Sequence, residues 1–128
     1  MRKAINPPNA PNAIGTYNQG IETDGLVFTS GQVGIDPSTG QLVGGGIDMQ
    51  AAQTLKNIEA ILDSVDLGKH SIAKLTVFVK NLDDFQSVNK AFEKFFNGIE
   101  YPARSTVVPF KTLDDSIFFL KSGVSCKM

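Results

Sequence analysis

The stretch SIAKLTVFVKNLDDFQSVNKAFEKFFNGIEYPARSTVVPF, residues 71–110, predicts a strand, a helix and a second strand in direct succession. Its first part, SIAKLTVFVKNL, is rich in β-branched residues and alternates at its centre, which is typical of a largely buried strand. Residues 84–97 then carry apolar side chains at helical spacing, and we assign this stripe to the core: Phe85, Val88, Phe92, Phe95 and Phe96. The last part, ARSTVVPF, predicts another buried strand, which begins beside the permanent charge of Arg104.

The N-terminal part of the chain predicts an arm followed by a hairpin. Residues 3–13, KAINPPNAPNA, are rich in Pro and Asn, which favours a short edge strand that runs into an irregular arm. Asp24 and Gly25 lie between two strand-like runs, a sequence typical of a type I′ turn. We therefore pair residues 17–23 with residues 26–33.

The middle of the chain predicts the other helix. IDPSTGQLV, residues 35–43, is typical of a turn, and the glycines of residues 44–46 read as a flexible connector, because no Lys-Ser/Thr follows them as in a phosphate loop. From Asp48 onward, apolar residues recur every three or four positions and predict an amphipathic helix that lies on the sheet: Ala51, Leu55, Ile58, Leu62 and Val65. SIFFLKSGVSC, residues 116–126, predicts the last strand, so the whole order is α+β.

Length and composition limit the class of protein. A chain of 128 residues allows one domain with a sizeable core, and no repeat or linker divides it, so we predict a single domain over residues 1–128. Twelve Lys and Arg against thirteen Asp and Glu give no electrostatic footprint for nucleic acid or an anionic membrane. No apolar run approaches the roughly 20 residues of a membrane helix. A single cysteine and the lack of a signal segment favour a soluble, cytoplasmic protein.

The scarcity of histidine and cysteine excludes several kinds of site. With His70 and Cys126 as the only residues of these types, one chain cannot assemble a zinc site from several such ligands. His70 follows the helix-stopping Gly68, a position where histidines are usually solvated, and Cys126 lies close to the end of the sequence. We therefore expect no metal, and neither residue is a strong candidate nucleophile or base.

Five segments in order and at consistent spacing resemble the RidA family, also known as the YjgF or endoribonuclease L-PSP family. They are IGTYNQG (14–20), TSGQVGIDPSTG (29–40), QTLKNIEAIL (53–62), LTVFVKNLDDFQSVNKAFEKFF (75–96) and YPARSTV (101–107). The resemblance implies a chorismate-mutase-like α+β fold, in which a mixed β-sheet carries two helices on one face. It also implies a homotrimer with a barrel-like core and ligand clefts between subunits.

The resemblance gives Arg104 a role: it grips the carboxylate of a small 2-imino or 2-keto acid in the cleft. A guanidinium suits this role because its planar fork of donors reaches both carboxylate oxygens. On a bare strand, an arginine that closes a sheet edge with an aspartate is the alternative. The match also implies that Tyr17 orients substrate or water, although Thr16 replaces the usual proline before it. Four further residues match pocket positions of the family: Ser30, Gly31, Asn89 and Thr106. No cofactor is implied.

One departure from the family pattern concerns the last strand. Family members with imine deaminase activity carry a glutamate there, which positions the hydrolytic water. SIFFLKSGVSCKM contains no Asp or Glu, and the glutamate aligns with Lys121 or Ser122, depending on the register near Leu113. Because general acid and base assistance contributes typically about 10² to 10⁴ in rate, this change predicts a slow enzyme or a binder.

The resemblance implies hydrolysis of reactive enamines and imines, such as 2-aminoacrylate and 2-iminopropanoate, to 2-keto acids and ammonia. Two alternatives stay open. The first is a trimer that binds small carboxylates without turnover, which the missing glutamate favours. The second is an endoribonuclease or translation inhibitor of the L-PSP type, although the sequence lacks a basic patch and an aromatic RNA-binding strand motif.

Overall fold

A computed structural model describes residues 1–109 and the backbone of residues 118–121. The strands, in chain order, are β1 (Lys3–Ile5), β2 (Gly20–Thr23), β3 (Leu26–Thr29), β4 (Gln32–Val33), β5 (Ile35–Asp36), β6 (Gln41–Leu42), β7 (Lys74–Val79), β8 (Ala103–Val107) and β9 (Phe118–Lys121). The α-helices are α1 (Gly46–Asp63) and α2 (Phe85–Phe95), and short 3-10 turns cover Lys69–Ser71 and Leu82–Asp84.

The strands form a mixed α+β arrangement, as the sequence predicts. β1, β2 and β3 make an antiparallel sheet, and β5 pairs with β6. A four-stranded sheet has the order β4-β9-β7-β8, in which β7 and β8 run parallel and the other neighbours run antiparallel. α1 packs against β4 and β9, and α2 packs beside α1. The buried apolar side chains between these layers form one cluster.

The β7-α2-β8 unit confirms the order predicted for residues 71–110. β7 alternates between buried and half-buried residues, and its buried face consists of Leu75, Val77 and Val79. α2 then crosses over the sheet, which lets β8 return parallel to β7, as a helical crossover requires. The register places Arg104 beside Leu75 and Thr106 beside Val77, so both residues lie on the face of β8 that α2 covers.

The predicted hairpin is also present, although its strands are shorter than expected. Asp24 and Gly25 both have positive φ, 51° and 77°, as a type I′ turn demands. The pairing covers β2 and β3 only, because the chain leaves this sheet after Thr29 and β4 joins the four-stranded sheet instead. The segment predicted as a turn contains the small hairpin of β5 and β6.

α1 begins at Gly46, two residues before the predicted start, and buries the predicted stripe apart from the half-buried Val65, which follows the helix. It approaches the sheet closely at Gly34, where an added Cβ would lie 2.8 Å from Gln50 Cα. The buried Asn57 fixes this contact, since its Nδ2 donates to the carbonyl oxygens of Val33 and Ile35 at 3.1 and 2.9 Å.

Two predictions about burial are wrong. β8 is an outer strand rather than a buried one. Ala103, Ser105 and Val107 are exposed on one face, because β7 is its only partner among the described strands and α2 covers the other face. Phe85 is 38% exposed, since it lies at the first turn of α2 and packs near Arg104 instead of in the core. Phe110, Cys126 and the remainder of the last predicted strand lie outside the described residues.

Candidate functional site

Arg104 lies on β8, and its side chain contacts α2. We call this arrangement the Arg104 cradle, and its members are Arg104, Phe85, Asn89 and Phe92. Its Nη2 donates a hydrogen bond to Asn89 Oδ1 at 2.8 Å. Its guanidinium carbon lies 5.2 Å from the ring centroid of Phe85 and 4.9 Å from that of Phe92, both within cation–π range. Three side chains of one helix face therefore hold the guanidinium in place.

The cradle leaves the charge of Arg104 ready for an anion. Burial lowers the pKa of Arg104, yet the group stays cationic because a guanidinium does not deprotonate in proteins. Its hydrogen-bond partner is a neutral amide, so this contact does not compensate the charge. Within the described residues, this half-buried guanidinium has no ion-pair partner, and a guanidinium with aromatic walls is suited to a planar carboxylate.

A cavity of about 280 Å³ adjoins the cradle. Its lining combines apolar and polar groups, and consists of Asn89, Phe92, Glu93, Tyr101, Pro102 and Arg104. This volume lies near the lower end of ligand pockets in proteins, which fits a small molecule. The cavity therefore offers a cation, an amide, a carboxylate and aromatic surface to one small ligand.

Three further predicted residues form a second group, which we call the arm group: Tyr17, Ser30 and Gly31. Tyr17 is 49% exposed, and its hydroxyl oxygen accepts a hydrogen bond from the Ile14 amide at 3.3 Å. Ser30 Oγ donates to the Asn18 carbonyl oxygen at 2.6 Å, next to Tyr17 in the chain. Gly31 is half-buried between β3 and β4.

Amide side chains tie the arm to the sheet. Asn6 Nδ2 donates to Asn18 Oδ1 at 2.9 Å, and Asn6 Oδ1 accepts from the backbone N–H of Gln19 at 2.9 Å. The buried Gln19 donates through Nε2 to the carbonyl oxygens of Ala10 and Pro11 at 3.2 and 2.6 Å. These contacts determine where Tyr17 is held, since they join both ends of the segment that carries it.

The structure brings the predicted site residues together as two groups rather than one. Arg104 and Asn89 are in contact, and Thr106 lies two residues from Arg104 on the same face of β8. The arm group has its own hydrogen bonds, and the residues that line the cavity beside Arg104 include none of its members.

Sequence reasoning missed the aromatic half of the cradle. Phe85 and Phe92 are both predicted as core residues. Phe92 is buried in the core as predicted and Phe85 is exposed, and both also contact the guanidinium of Arg104. Phe85 lies four residues before Asn89 and Phe92 three residues after it. This spacing indicates the contact, because it places all three side chains on one helix face.

In the described part of the chain, no group of three or more His, Cys, Asp or Glu residues could hold a metal ion. His70 lies in the 3-10 turn after α1.

Comparison with known proteins identifies similar chains. Residues 7–114 match the sequence model of the family described as Endoribonuclease L-PSP. The chain is 46% identical over 109 residues to the 2-iminobutanoate/2-iminopropanoate deaminase of Salmonella typhimurium, and the match covers 84% of each sequence. It is 42% identical over 105 residues to the deaminase of the same name from Mus musculus, which covers 82% of this chain and 77% of the relative.

Solved structures agree with these sequence matches. The YjgF gene product of Escherichia coli superposes with a TM-score of 0.91 at 37% identity, over 98% of this chain and 99% of that one. Escherichia coli TdcF, whose crystal structure contains bound serine, superposes with a TM-score of 0.92 at 34% identity, over 98% and 99% of the two chains.

Proposed function

This chain belongs to the endoribonuclease L-PSP family, which is the RidA family that its sequence resembles, and we propose that it hydrolyses small 2-imino acids to 2-keto acids and ammonia. The observation that carries the proposal is the Arg104 cradle, which offers a small carboxylate a guanidinium that has no ion-pair partner in the described part of the chain. The relatives with the highest identities reported above are named for this deamination, which supports the function predicted from the sequence. The proposed substrates are 2-iminopropanoate, its enamine form 2-aminoacrylate, and 2-iminobutanoate.

In the proposed reaction, the substrate carboxylate pairs with Arg104, which leaves its imine carbon in the cleft. Water adds to the carbon of the C=N bond, and the nitrogen gains a proton, which gives a carbinolamine. The hydroxyl proton then passes to the nitrogen as the C–N bond breaks, and a 2-keto acid and ammonia leave. The imine is already electrophilic, so the protein's main contribution is to bind and orient the reactants. The Tyr17 hydroxyl is suited to orient the water, and no metal or cofactor is required.

The proposed site is shared between two copies of the chain. Its support is the separation of the arm group from the Arg104 cradle, since no hydrogen bond found among the described residues of one chain joins the two groups. Exposed apolar side chains on β3, on β8 and directly after β8 offer surface for assembly, among them Phe28, Val107 and Val108. The homotrimer implied by the family resemblance allows the arm group of one subunit to face the cradle of its neighbour. Ser30, Gly31, Asn89 and Thr106 then shape the pocket.

The missing glutamate favours a second candidate function, a carboxylate-binding trimer without turnover. Residues 116–128 contain no acidic residue, so the last strand offers no carboxylate to position the water. Lys121, one of the two aligned positions, pairs through its backbone with Thr76 of β7, and Ser122 lies outside the described residues. Binding without turnover would retain the role of Arg104 and lose the reaction.

The name of the family model refers to an endoribonuclease, but the described molecule offers little for RNA. The net charge is −1, and phosphate backbones are bound mainly through clustered Lys and Arg.

Among the described helices, none is long and apolar enough to span a membrane. We place the reaction in the cytoplasm, where enamines and imines arise from amino-acid metabolism.

The test is release of ammonia and keto acid from freshly generated 2-iminopropanoate. We expect turnover by the unmodified protein and loss of turnover in Arg104→Ala. Arg2→Ala is the matched control, because Arg2 is the other arginine of the chain and is exposed. Ligand binding without turnover would support the second candidate. Absence of both, with Arg104→Ala indistinguishable from the unmodified protein, would contradict the proposal.

A further inference from the structure

A groove of about 440 Å³ lies between α1 and α2, on the side away from the Arg104 cradle. We call it the helix groove, and its lining residues are Asp48, Met49, Ala52, Leu55, Lys69, Ser87, Lys90, Ala91, Lys94 and Phe95. Its volume falls within the range of small-molecule pockets. α2 contributes opposite faces to the two sites, because Ser87 and Lys94 are about half a helical turn away from Phe85 and Asn89.

The floor of the groove is apolar. Leu55 is buried, Ala91 and Phe95 are half-buried, and Met49 is 54% exposed at its wall. An exposed methionine beside aliphatic and aromatic side chains offers a surface that adapts to an apolar ligand. The floor is thus able to remove a short hydrocarbon body from water.

The rim of the groove is positively charged. Three lysines line it against one carboxylate, that of Asp48. The ammonium group of Lys69 already has partners in the chain, since its Nζ lies 3.6 Å from Glu59 Oε2 and 4.5 Å from the ring centroid of Phe95. Lys90 and Lys94 make no ion pair within the described residues.

The two unpaired lysines lie on one ridge of α2. Lys90 and Lys94 are four residues apart, where like charges face and repel each other, and Ser87 adds a hydroxyl one turn earlier. An anion between them would relieve this repulsion. A low-dielectric floor beside two cations also concentrates positive potential in the groove.

We propose that the helix groove binds a small amphipathic anion. Its apolar body lies on Met49, Leu55 and Phe95, and its charged head lies at Lys90 and Lys94. Lysines bind anions as point charges rather than through a planar fork, so the site selects charge and hydrocarbon together rather than one head group. This site is independent of the deaminase site, which takes small polar acids at Arg104.

The test uses octanoate, which has both parts of the proposed ligand. The titration is made on Arg104→Ala, so that the carboxylate has no competing site in the cradle, and binding is followed by heteronuclear NMR of the backbone amides. We expect saturable shifts in residues 48–55 and 87–95. Acetate, which lacks the apolar body, and octanol, which lacks the charge, should each bind about tenfold more weakly.

A charge-matched pair of variants decides the role of the lysines. Lys90→Gln with Lys94→Gln should weaken octanoate binding about tenfold, whereas Lys56→Gln with Lys80→Gln should leave it unchanged, because both of those lysines are exposed outside the groove. Imine hydrolysis in the presence of Arg104 should be the same in both pairs. Equal binding in both pairs, equal affinity for octanol, or shifts elsewhere in the chain would overturn the proposal.

Discussion

The Arg104 cradle and the arm group are held in place by different kinds of force. The guanidinium of Arg104 lies on a strand, packed by two phenylalanine rings of α2, and its position follows from the β7-α2-β8 unit itself. Tyr17 lies in an irregular arm, where the side-chain hydrogen bonds of Asn6 and Gln19 determine its place. The charge that we propose to bind the substrate is thus built into the fold, whereas the hydroxyl that we propose to orient water depends on a small polar network.

The largest expected effect comes from the cradle. Arg104→Lys keeps the charge but loses the planar fork that reaches both carboxylate oxygens, so kcat/KM for 2-iminopropanoate should fall about 100-fold or more. Pyruvate and 2-ketobutyrate at tens of millimolar should raise the Tm of the unmodified protein by mass action, and should shift Arg104→Lys far less. Equal ligand shifts in both proteins would show that Arg104 does not bind the carboxylate.

A gain of function tests the effect of the glutamate that the last strand lacks. Glutamate introduced at the correct one of two positions, Lys121→Glu or Ser122→Glu, should accelerate imine hydrolysis by about 10-fold to 100-fold, since a positioned carboxylate assists proton transfer. Only one of two adjacent strand residues faces a given side, so a gain at one position alone would also give the register. If neither substitution changes the rate, and the unmodified protein already matches a typical deaminase of the family, another group orients the water.

A smaller effect tests whether the hydrogen-bond partner of Arg104 on α2 must be neutral. Asn89→Asp would place a carboxylate on the guanidinium, 2.8 Å from Nη2 in the present geometry, and this internal anion would compete with the substrate. We expect KM to rise about tenfold with a smaller change in kcat. Asn89→Ala removes the hydrogen bond without adding charge and is the control. A KM that rises equally in both variants would show that the added carboxylate does not compete with the substrate for Arg104.

The smallest effect concerns the arm. Asn6→Ala removes two hydrogen bonds that hold the segment carrying Tyr17, so the free energy of unfolding should fall by about 1 kcal/mol and kcat should fall a few-fold. Asn12→Ala is the matched control in the same arm, because Asn12 is exposed. We would measure kcat by ammonia release and the free energy of unfolding in denaturant. Equal values of kcat for these two variants would mean that the amide network does not position Tyr17.

The sequence predicted those parts of the fold that local patterns determine. The Asp24-Gly25 turn follows from backbone preference, and the alternation of β7 and the stripe of α1 follow from periodicity. The exposure of β8 could not be read in this way, because it depends on which strand lies at the edge of the sheet. The register near Lys121 depends likewise on pairing with a distant strand.

The candidate site was predictable in part, for a related reason. The family motifs identify Arg104, Asn89 and Tyr17, but periodicity cannot distinguish an aromatic core residue from one that walls a cation, so Phe85 was assigned to the wrong environment. The contacts of Asn6 with Asn18 and Gln19 join residues 12 and 13 positions apart, and an irregular arm gives no pattern from which such pairs follow.

The most direct test of the shared site is subunit complementation. One variant lacks the cradle cation, Arg104→Ala, and the other lacks the arm group side chains, Tyr17→Ala with Ser30→Ala; each alone should have little activity. Unfolded together and refolded as mixed trimers, they should recover about a quarter of full activity, because a given cleft receives both intact halves in one of four pairings. Mixed assemblies that form, as shown by native mass spectrometry, yet recover no activity would contradict a site built by two copies of the chain.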